Sequence, residues 1–350
     1  MSARAAAITV DVLAPHAAEE YERFLLTRRG SLVYQTIRFR DFLKELLQCG
    51  ERYLVATVDG EIRGALPLLY ADGPAGRVYN SLPYYGSNGG VMADREEVAH
   101  ELTGAYSEIV HERGTLASTI VANPFDDSPF VVPPHKLQDV RISQATELPA
   151  SSGDAEAAIY AVVESSARRN VAKARKEGIV VEADAAAVGE LQAMHVAGME
   201  AIGGLAKTPR FFELLGKHFR PGTDYDIYVA RRDGKALAAL LVFYFNRTVE
   251  YYTPASDPDA RALQPLSVVL VQAMTDAAAR GFTSWNWGGT WQSQGGVYQF
   301  KKKWGAREEN YLYYTELNDE SILNRPASEI VGMYPGFFVV PFAALRASNA

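Results

Sequence analysis

The sequence predicts two α+β domains of similar plan, residues 1–150 and 151–350, each a mixed, mostly antiparallel sheet flanked by helices. Three observations predict it. At roughly 100–200 residues per domain, 350 residues make about two domains. A strand, Asp-Gly turn, strand unit occurs twice, once around Asp59-Gly60 and once around Asp233-Gly234. After each copy the same succession of elements returns.

The hairpins are the firmest element. Tyr53 to Val58 leads into Asp59-Gly60 and Ile227 to Arg232 leads into Asp233-Gly234, with apolar residues resuming after each turn. An Asp-Gly pair between such runs favours a tight turn, because its second residue needs positive φ, which glycine adopts without steric cost. Downstream of the first turn we expect a strand over 77–82, a loop over 83–90, a helix over 95–113 stopped by Gly114, and a strand over 115–121. Downstream of the second we expect a strand over 248–253, a loop over 254–264, a helix over 265–280 stopped by Gly281, and a strand over 282–287. Helices over 39–48, 191–201 and 210–219 precede the turns, a strand is expected near 140–143, and a long helix should begin near Asp154. The polar run Pro149-Ala-Ser-Ser-Gly153 marks the boundary.

Charge and composition exclude several classes. There are 35 Lys and Arg against 42 Asp and Glu, a net charge of -7, which argues against a surface wholly devoted to nucleic acid. The single cysteine, Cys49, precludes an intrachain disulfide and a multi-cysteine metal site, and it fits a buried small hydrophobe in a reducing compartment. None of the six histidines sits in an H-E-x-x-H spacing, no G-x-S-x-G elbow occurs, and no metal site is expected. No secretory signal, transit peptide or transmembrane run is read, so the expected location is cytoplasmic.

Three constellations could carry chemistry. In 165–178, Arg169, Lys173 and Lys176 fall at i, i+4 and i+7 opposite an apolar stripe of Ala167, Val171 and Ala174, with Arg168 beside them. Such a face suits a phosphate-rich ligand, or is simply a solvated surface. In 285–305 all four tryptophans accompany Gly288-Gly289 and Lys301-Lys302-Lys303, which reads as a site or as an aromatic core under a lysine cluster. In 80–90 a loop with Tyr85 and Asn88 could hold a polar acceptor or be an ordinary Pro/Gly turn.

The order of helices, antiparallel strands, helix and final strand is the plan of an acyl-CoA N-acyltransferase (GNAT) domain. Arg169-Asn170-Val-Ala-Lys173-Ala-Arg175-Lys176-Glu-Gly178, Trp287-Gly288-Gly289 and Gly296-Val-Tyr298-Gln-Phe300-Lys301-Lys302, with Tyr34-Gln35-Thr36 early on, carry the resemblance further. Over about 31–315 the chain resembles the FemABX-like peptidyltransferases and their relatives with a BioF2-like acetyltransferase domain, which are tandem GNAT-fold proteins.

The resemblance implies amide formation: a primary amine attacks an activated acyl carbonyl, and a cation or donors stabilise the oxyanion. It places a lysine of the Phe-Lys motif at the reaction centre, which makes Lys301, then Lys302, the catalytic candidates. Gln35, Tyr85, Asn88, Arg210, Tyr252 and Trp287 are candidates for holding the acceptor, a primary amine of a cell-envelope precursor, an amino sugar or a small metabolite. The chain departs from the family in two ways. Asn286-Trp287 replaces the acidic residue common before the late Gly-Gly, and no long charged heptad arm is present.

The donor is read from two loops. Acetyl-CoA sites cradle pyrophosphate on a glycine-bearing loop at a helix N-terminus. Here 257–267 has no glycine, and 89–97 carries Asp94, Glu96 and Glu97. An aminoacyl-tRNA co-substrate is therefore expected, held by Arg168, Arg169, Lys173, Lys176 and Lys303, with no bound cofactor. The alternatives are an acyl-CoA-dependent N-acyltransferase and a non-catalytic glycan- or peptide-binding protein on the same fold.

Overall fold

The computed structural model describes residues 7–150, 153–291 and 293–346. Both expected hairpins form. Asp59 and Gly60 sit at φ 51° and 82°, Asp233 and Gly234 at 53° and 78°, the left-handed pair that a two-residue turn between twisted strands requires. Two compact units result, 1–141 with 310–350 and 142–309.

The first unit begins with β1 (Ile8–Val12) and the helices α1 (Ala18–Thr27) and α2 (Ile37–Leu47). The Thr36 hydroxyl caps α2 by accepting from the Phe39 amide at 3.2 Å. Then come β2 (Gly50–Glu51), β3 (Leu54–Val58), β4 (Glu61–Leu66), β5 (Leu69–Gly73), β6 (Gly76–Asn80) and β7 (Met92–Ala93). Helix α3 (Glu96–Val110) and β8 (Thr115–Val121) follow. The β3–β4 hairpin has β1 and β7 at its edges, β2 and β6 flank β5, and β6 runs parallel to β8. One face of α3, with Val98, Leu102, Tyr106 and Ile109, packs on Leu54, Ala56 and Leu66. Each such side chain withdrawn from water contributes about 1.5–3 kcal/mol.

The second unit takes in β9 (Leu137–Glu147) from Ile142 onward, then α4 (Ala155–Val162), α5 (Ser165–Lys176) and β10 (Val180–Ala183). Helices α6 (Val188–Glu200) and α7 (Pro209–His218) precede β11 (Tyr225–Arg232), β12 (Lys235–Phe245) and β13 (Thr248–Ser256). Helix α8 (Pro265–Ala279), β14 (Ser284–Thr290) and α9 (Gly295–Lys302) complete it. Strands β10 to β13 are antiparallel, β13 and β14 are parallel, and β14 is antiparallel to β9. In the first unit β1, β3, β4 and β7 form a purely antiparallel sheet and β2, β5, β6 and β8 belong to a second, mixed one, while the strands of the second unit form one mixed, mostly antiparallel sheet; helices accompany both.

Three details differ from the sequence reading. The long helix expected from Asp154 is two helices, because the Glu164 amide leaves the helical ladder and donates to the Lys303 carbonyl at 2.8 Å. Pro254 to Ser256, read as loop, continue β13 opposite Leu240 to Ala238. The sequence reading also carried the second domain to residue 350, whereas β15 (Arg307–Leu317) from Asn310 on and α10 (Ala327–Met333) lie in the first unit. Strand β15 pairs with β8, the Asn80 side chain bonds the Phe338 backbone at 2.8 Å in both directions, and the Tyr334 hydroxyl donates to the Gly76 carbonyl at 2.8 Å. Ser151 and Ser152 of the expected boundary lie outside the described residues.

Candidate active site

Strands β13 and β14 run paired from Thr248/Ser284 to Glu250/Asn286. Past that rung β14 bulges at Trp287-Gly288 and resumes against β9 at Gly289/Ser143. Gly288 makes the bulge at φ 72°, a conformation that costs glycine little, and its amide donates to the Asn286 Oδ1 at 2.9 Å. The Asn286 amide nitrogen donates to both Glu250 carboxylate oxygens, at 3.2 and 2.9 Å. The sequence reading found no carboxylate here because it looked along β14, and the structure supplies one from β13.

Lys301 reaches this bulge from the last turn of α9. Its ammonium donates to the Gly288 and Gly289 carbonyls at 3.4 Å each and to Thr290 Oγ1 at 2.7 Å. The side chain is buried, 4% exposed, and burial pulls its pKa down to about 8. Lys302, one helical step on, is exposed with its ammonium 5.8 Å from the Tyr298 ring centre. Lys303 is half-buried, and its carbonyl holds Glu164. Of the two catalytic candidates, only Lys301 meets the Gly-Gly backbone.

The aromatic cluster divides. Trp285, Trp287 and Trp304 are buried, and Trp291 is 43% exposed. Trp287 donates through Nε1 to Thr146 Oγ1 at 2.8 Å, and that hydroxyl in turn donates to the Trp304 carbonyl at 2.9 Å. Trp287 therefore supports β14 from the core side, and its one polar atom is engaged there.

Opposite the tryptophans lies a second group. Phe243 is the cross-strand neighbour of Glu250, and its ring meets the Tyr252 ring at 5.0 Å. Tyr252 stacks on Phe211 of α7 at 5.8 Å, and the Lys207 ammonium stands 5.2 and 5.8 Å from those two rings. Lys207 is buried, its pKa lowered to about 8 by desolvation, and its backbone amide donates to His195 Nε2 at 3.0 Å. Desolvation, then Lys207, holds His195 down to about 4, so it is the neutral acceptor. Sequence reasoning missed Lys207. Arg210 is exposed on α7 and pairs with Glu213 at 3.2 Å.

The remaining candidates lie elsewhere. In the first unit, buried Gln35 donates to the Asn88 carbonyl at 3.3 Å and accepts from the Leu32 amide at 2.7 Å. Asn88 is also buried, whereas Tyr85 is 47% exposed with its ring 4.6 Å from Tyr84. On α5 the stripe Ala167, Val171 and Ala174 is buried and Arg168, Arg169, Lys173 and Lys176 are exposed. Arg168 donates to the Tyr160 carbonyl at 2.7 Å, and Arg175 is engaged by Glu156 at 2.7 Å. Among the described residues no group of three or more His, Cys, Asp or Glu could hold a metal ion, and no helix is long and apolar enough to cross a membrane.

Residues 163–302 match the acetyltransferase (GNAT) domain family. No curated protein sequence matches the chain. Among solved structures the chain is similar to FemX, with 16% identity, TM-score 0.68, and coverage of 87% of this chain and 97% of that one. It is also similar to the C-terminal domain of a putative lysylphosphatidylglycerol synthetase from Agrobacterium fabrum, at 13% identity, TM-score 0.53, and coverage of 93% and 99%. A third similar structure is L-PGS from Bacillus licheniformis, at 13% identity, TM-score 0.52, and coverage of 94% and 98%. The chain therefore carries a GNAT acetyltransferase domain at 163–302, which makes it an acyltransferase, and its fold is similar to that of FemX.

Proposed function

We propose that the protein moves an aminoacyl group from aminoacyl-tRNA to a primary amine of a cell-envelope precursor, an amino sugar or a small metabolite, with Lys301 stabilising the tetrahedral oxyanion. The observation that carries this reading is the buried Lys301 ammonium on the Gly288 and Gly289 carbonyls, just past the rung where β13 and β14 stop pairing. The acceptor nitrogen attacks the ester carbonyl, a C–N bond forms, and negative charge develops on the carbonyl oxygen. Collapse breaks the C–O bond to the ribose. The proton lost by the amine ends on the departing ribose oxygen. A preorganised cation in a dry site can contribute several kcal/mol to such a step.

Three observations support an aminoacyl-tRNA donor. Arg169, Lys173 and Lys176 form an exposed basic face on α5, with Arg168 beside them, and Lys303 adds a base at the end of α9. The glycine-free stretch before α8 is a short 3-10 helix, Pro258–Leu263, fastened by Asp257 to Lys235 at 2.7 Å. One of the similar structures bears the name of a putative lysylphosphatidylglycerol synthetase, a name that pairs an amino acid with its acceptor. Arg210, Tyr252 and Lys207 are the groups we assign to the acceptor. An aminoacyl-tRNA donor implies a cytoplasmic reaction.

The acetyltransferase match over 163–302 favours a second reading, with acyl-CoA as donor. Calorimetric titration with acetyl-CoA and longer acyl-CoAs, beside filter binding of pooled aminoacylated tRNA across salt, separates the two. Retention of one charged tRNA without CoA binding supports the aminoacyl reading. Saturable micromolar CoA binding with only nonspecific tRNA retention overturns it.

A further inference from the structure

The geometry points to Gln144 and Thr290 as positioning residues for the Lys301 amine, joined to it by a hydrogen-bond relay that can run in one direction only; the inference rests on Lys301 being the cation at the reaction centre.

The direction follows from elementary donor and acceptor chemistry. The Tyr298 carbonyl can only accept, so Gln144 must present its amide nitrogen there, at 3.2 Å. That leaves Gln144 Oε1, which can only accept, facing the Thr290 hydroxyl at 3.0 Å. Thr290 has one proton and commits it to Gln144. Its oxygen is then an acceptor toward Lys301, at 2.7 Å. Gln144 is 1% exposed and Thr290 is fully buried, so water does not compete for these contacts.

The relay acts together with the two glycine carbonyls. A charged amine has three N–H groups, and three acceptors surround it: Thr290 Oγ1, Gly288 O and Gly289 O. A neutral amine has two N–H groups and a lone pair, which would have to face one of these oxygens. The arrangement therefore favours the ammonium and opposes the burial that lowers its pKa. Burial is the one cause of that lowering. Nearby titratable groups are engaged: Tyr298 with Glu308, Glu147 with Arg307 at 3.6 Å, and Glu250 with Asn286. Lys302 sits over the Tyr298 ring.

The test reads the amine directly. The full-length chain is labelled with 13Cε-lysine, and the Lys301 resonance, assigned by its loss in Lys301→Arg, is titrated by NMR. Thr290→Val should lower the midpoint by about one pH unit, since a hydrogen bond to the charged form is lost, and Thr290→Ser should restore it. Gln144→Leu should also lower it, because the freed Thr290 hydroxyl can donate to the neutral amine. Gln144→Glu should leave it near the wild-type value, because the acid must keep its proton to donate to the Tyr298 carbonyl while its other oxygen still accepts from Thr290. If Thr290→Val does not fold, the two Gln144 variants carry the test. Midpoints unmoved by Thr290→Val and Gln144→Leu, or lowered by Gln144→Glu, overturn the relay. Aminoacyl transfer by Lys301→Ala tells the two failures apart: undiminished turnover there overturns the role of Lys301, while lost turnover with unmoved midpoints overturns the relay alone.

Discussion

Glu250 and Asn286 face each other across the last paired rung of β13 and β14, and the Asn286 side chain donates to both oxygens of the Glu250 carboxylate while accepting from the Gly288 amide. An amide suits this position, because a carboxylate already occupies the rung and a second would repel it.

Asn286→Asp should therefore destabilise the second unit by about 2 kcal/mol at pH 8. Two carboxylates on one rung raise the folded-state pKa of the pair above its unfolded value. The penalty is absent when both states are protonated and grows as pH rises through the raised value. Urea unfolding at pH 5 and pH 8 checks this, with a smaller penalty expected at pH 5.

Lys301→Ala should reduce single-turnover transfer by about 10²–10³-fold with donor binding preserved, the cost of losing one preorganised positive charge beside the oxyanion. Because the active form is the ammonium and its pKa is drawn down to about 8, wild-type rate should fall as pH rises through 8. A pH–rate profile under single-turnover conditions checks both the midpoint and the direction.

Lys207 titrates in the same range for the same reason, burial. Its folded pKa is depressed from 10.5 to about 8, so the unfolded chain binds the proton more readily between those values. Stability from this group rises with pH across that window and is lower by up to about 3 kcal/mol below pH 8. Lys207→Met should thus gain most over wild type near pH 7, and the difference in Tm should shrink toward pH 10.5.

The exposed face of α5 should matter for ligand affinity and little for folding. Arg169, Lys173 and Lys176 together changed to Ala should leave Tm within a few degrees while flattening the salt dependence of tRNA binding by about 2–3 in log–log slope. Unchanged retention of charged tRNA at 50 and 200 mM salt would remove this face from the donor site.

Much of the fold was legible because its determinants are local. The Asp59-Gly60 and Asp233-Gly234 turns, the glycine stops at Gly114 and Gly281, and the Ala167, Val171, Ala174 stripe each depend on neighbours within one turn or one helix face. Strand β15 was not legible, since Arg-Glu-Glu-Asn-Tyr-Leu-Tyr-Tyr shows no clean alternation and its pairing partner, β8, lies far back in the chain. The break at Val163-Glu164 was hidden for the same reason, as its cause is a bond to Lys303.

By itself, then, the sequence determined the repeated plan, the basic helix face and the Phe300-Lys301 motif, because turn chemistry and helical periodicity act over a few residues. Only the tertiary structure decided that Lys301 turns inward and Lys302 outward, that three tryptophans are core, that β13 supplies Glu250 to the rung of Asn286, and that residues 310–350 complete the first unit. Those outcomes are set by burial and by hydrogen bonds between residues tens to hundreds of positions apart, which no local pattern encodes.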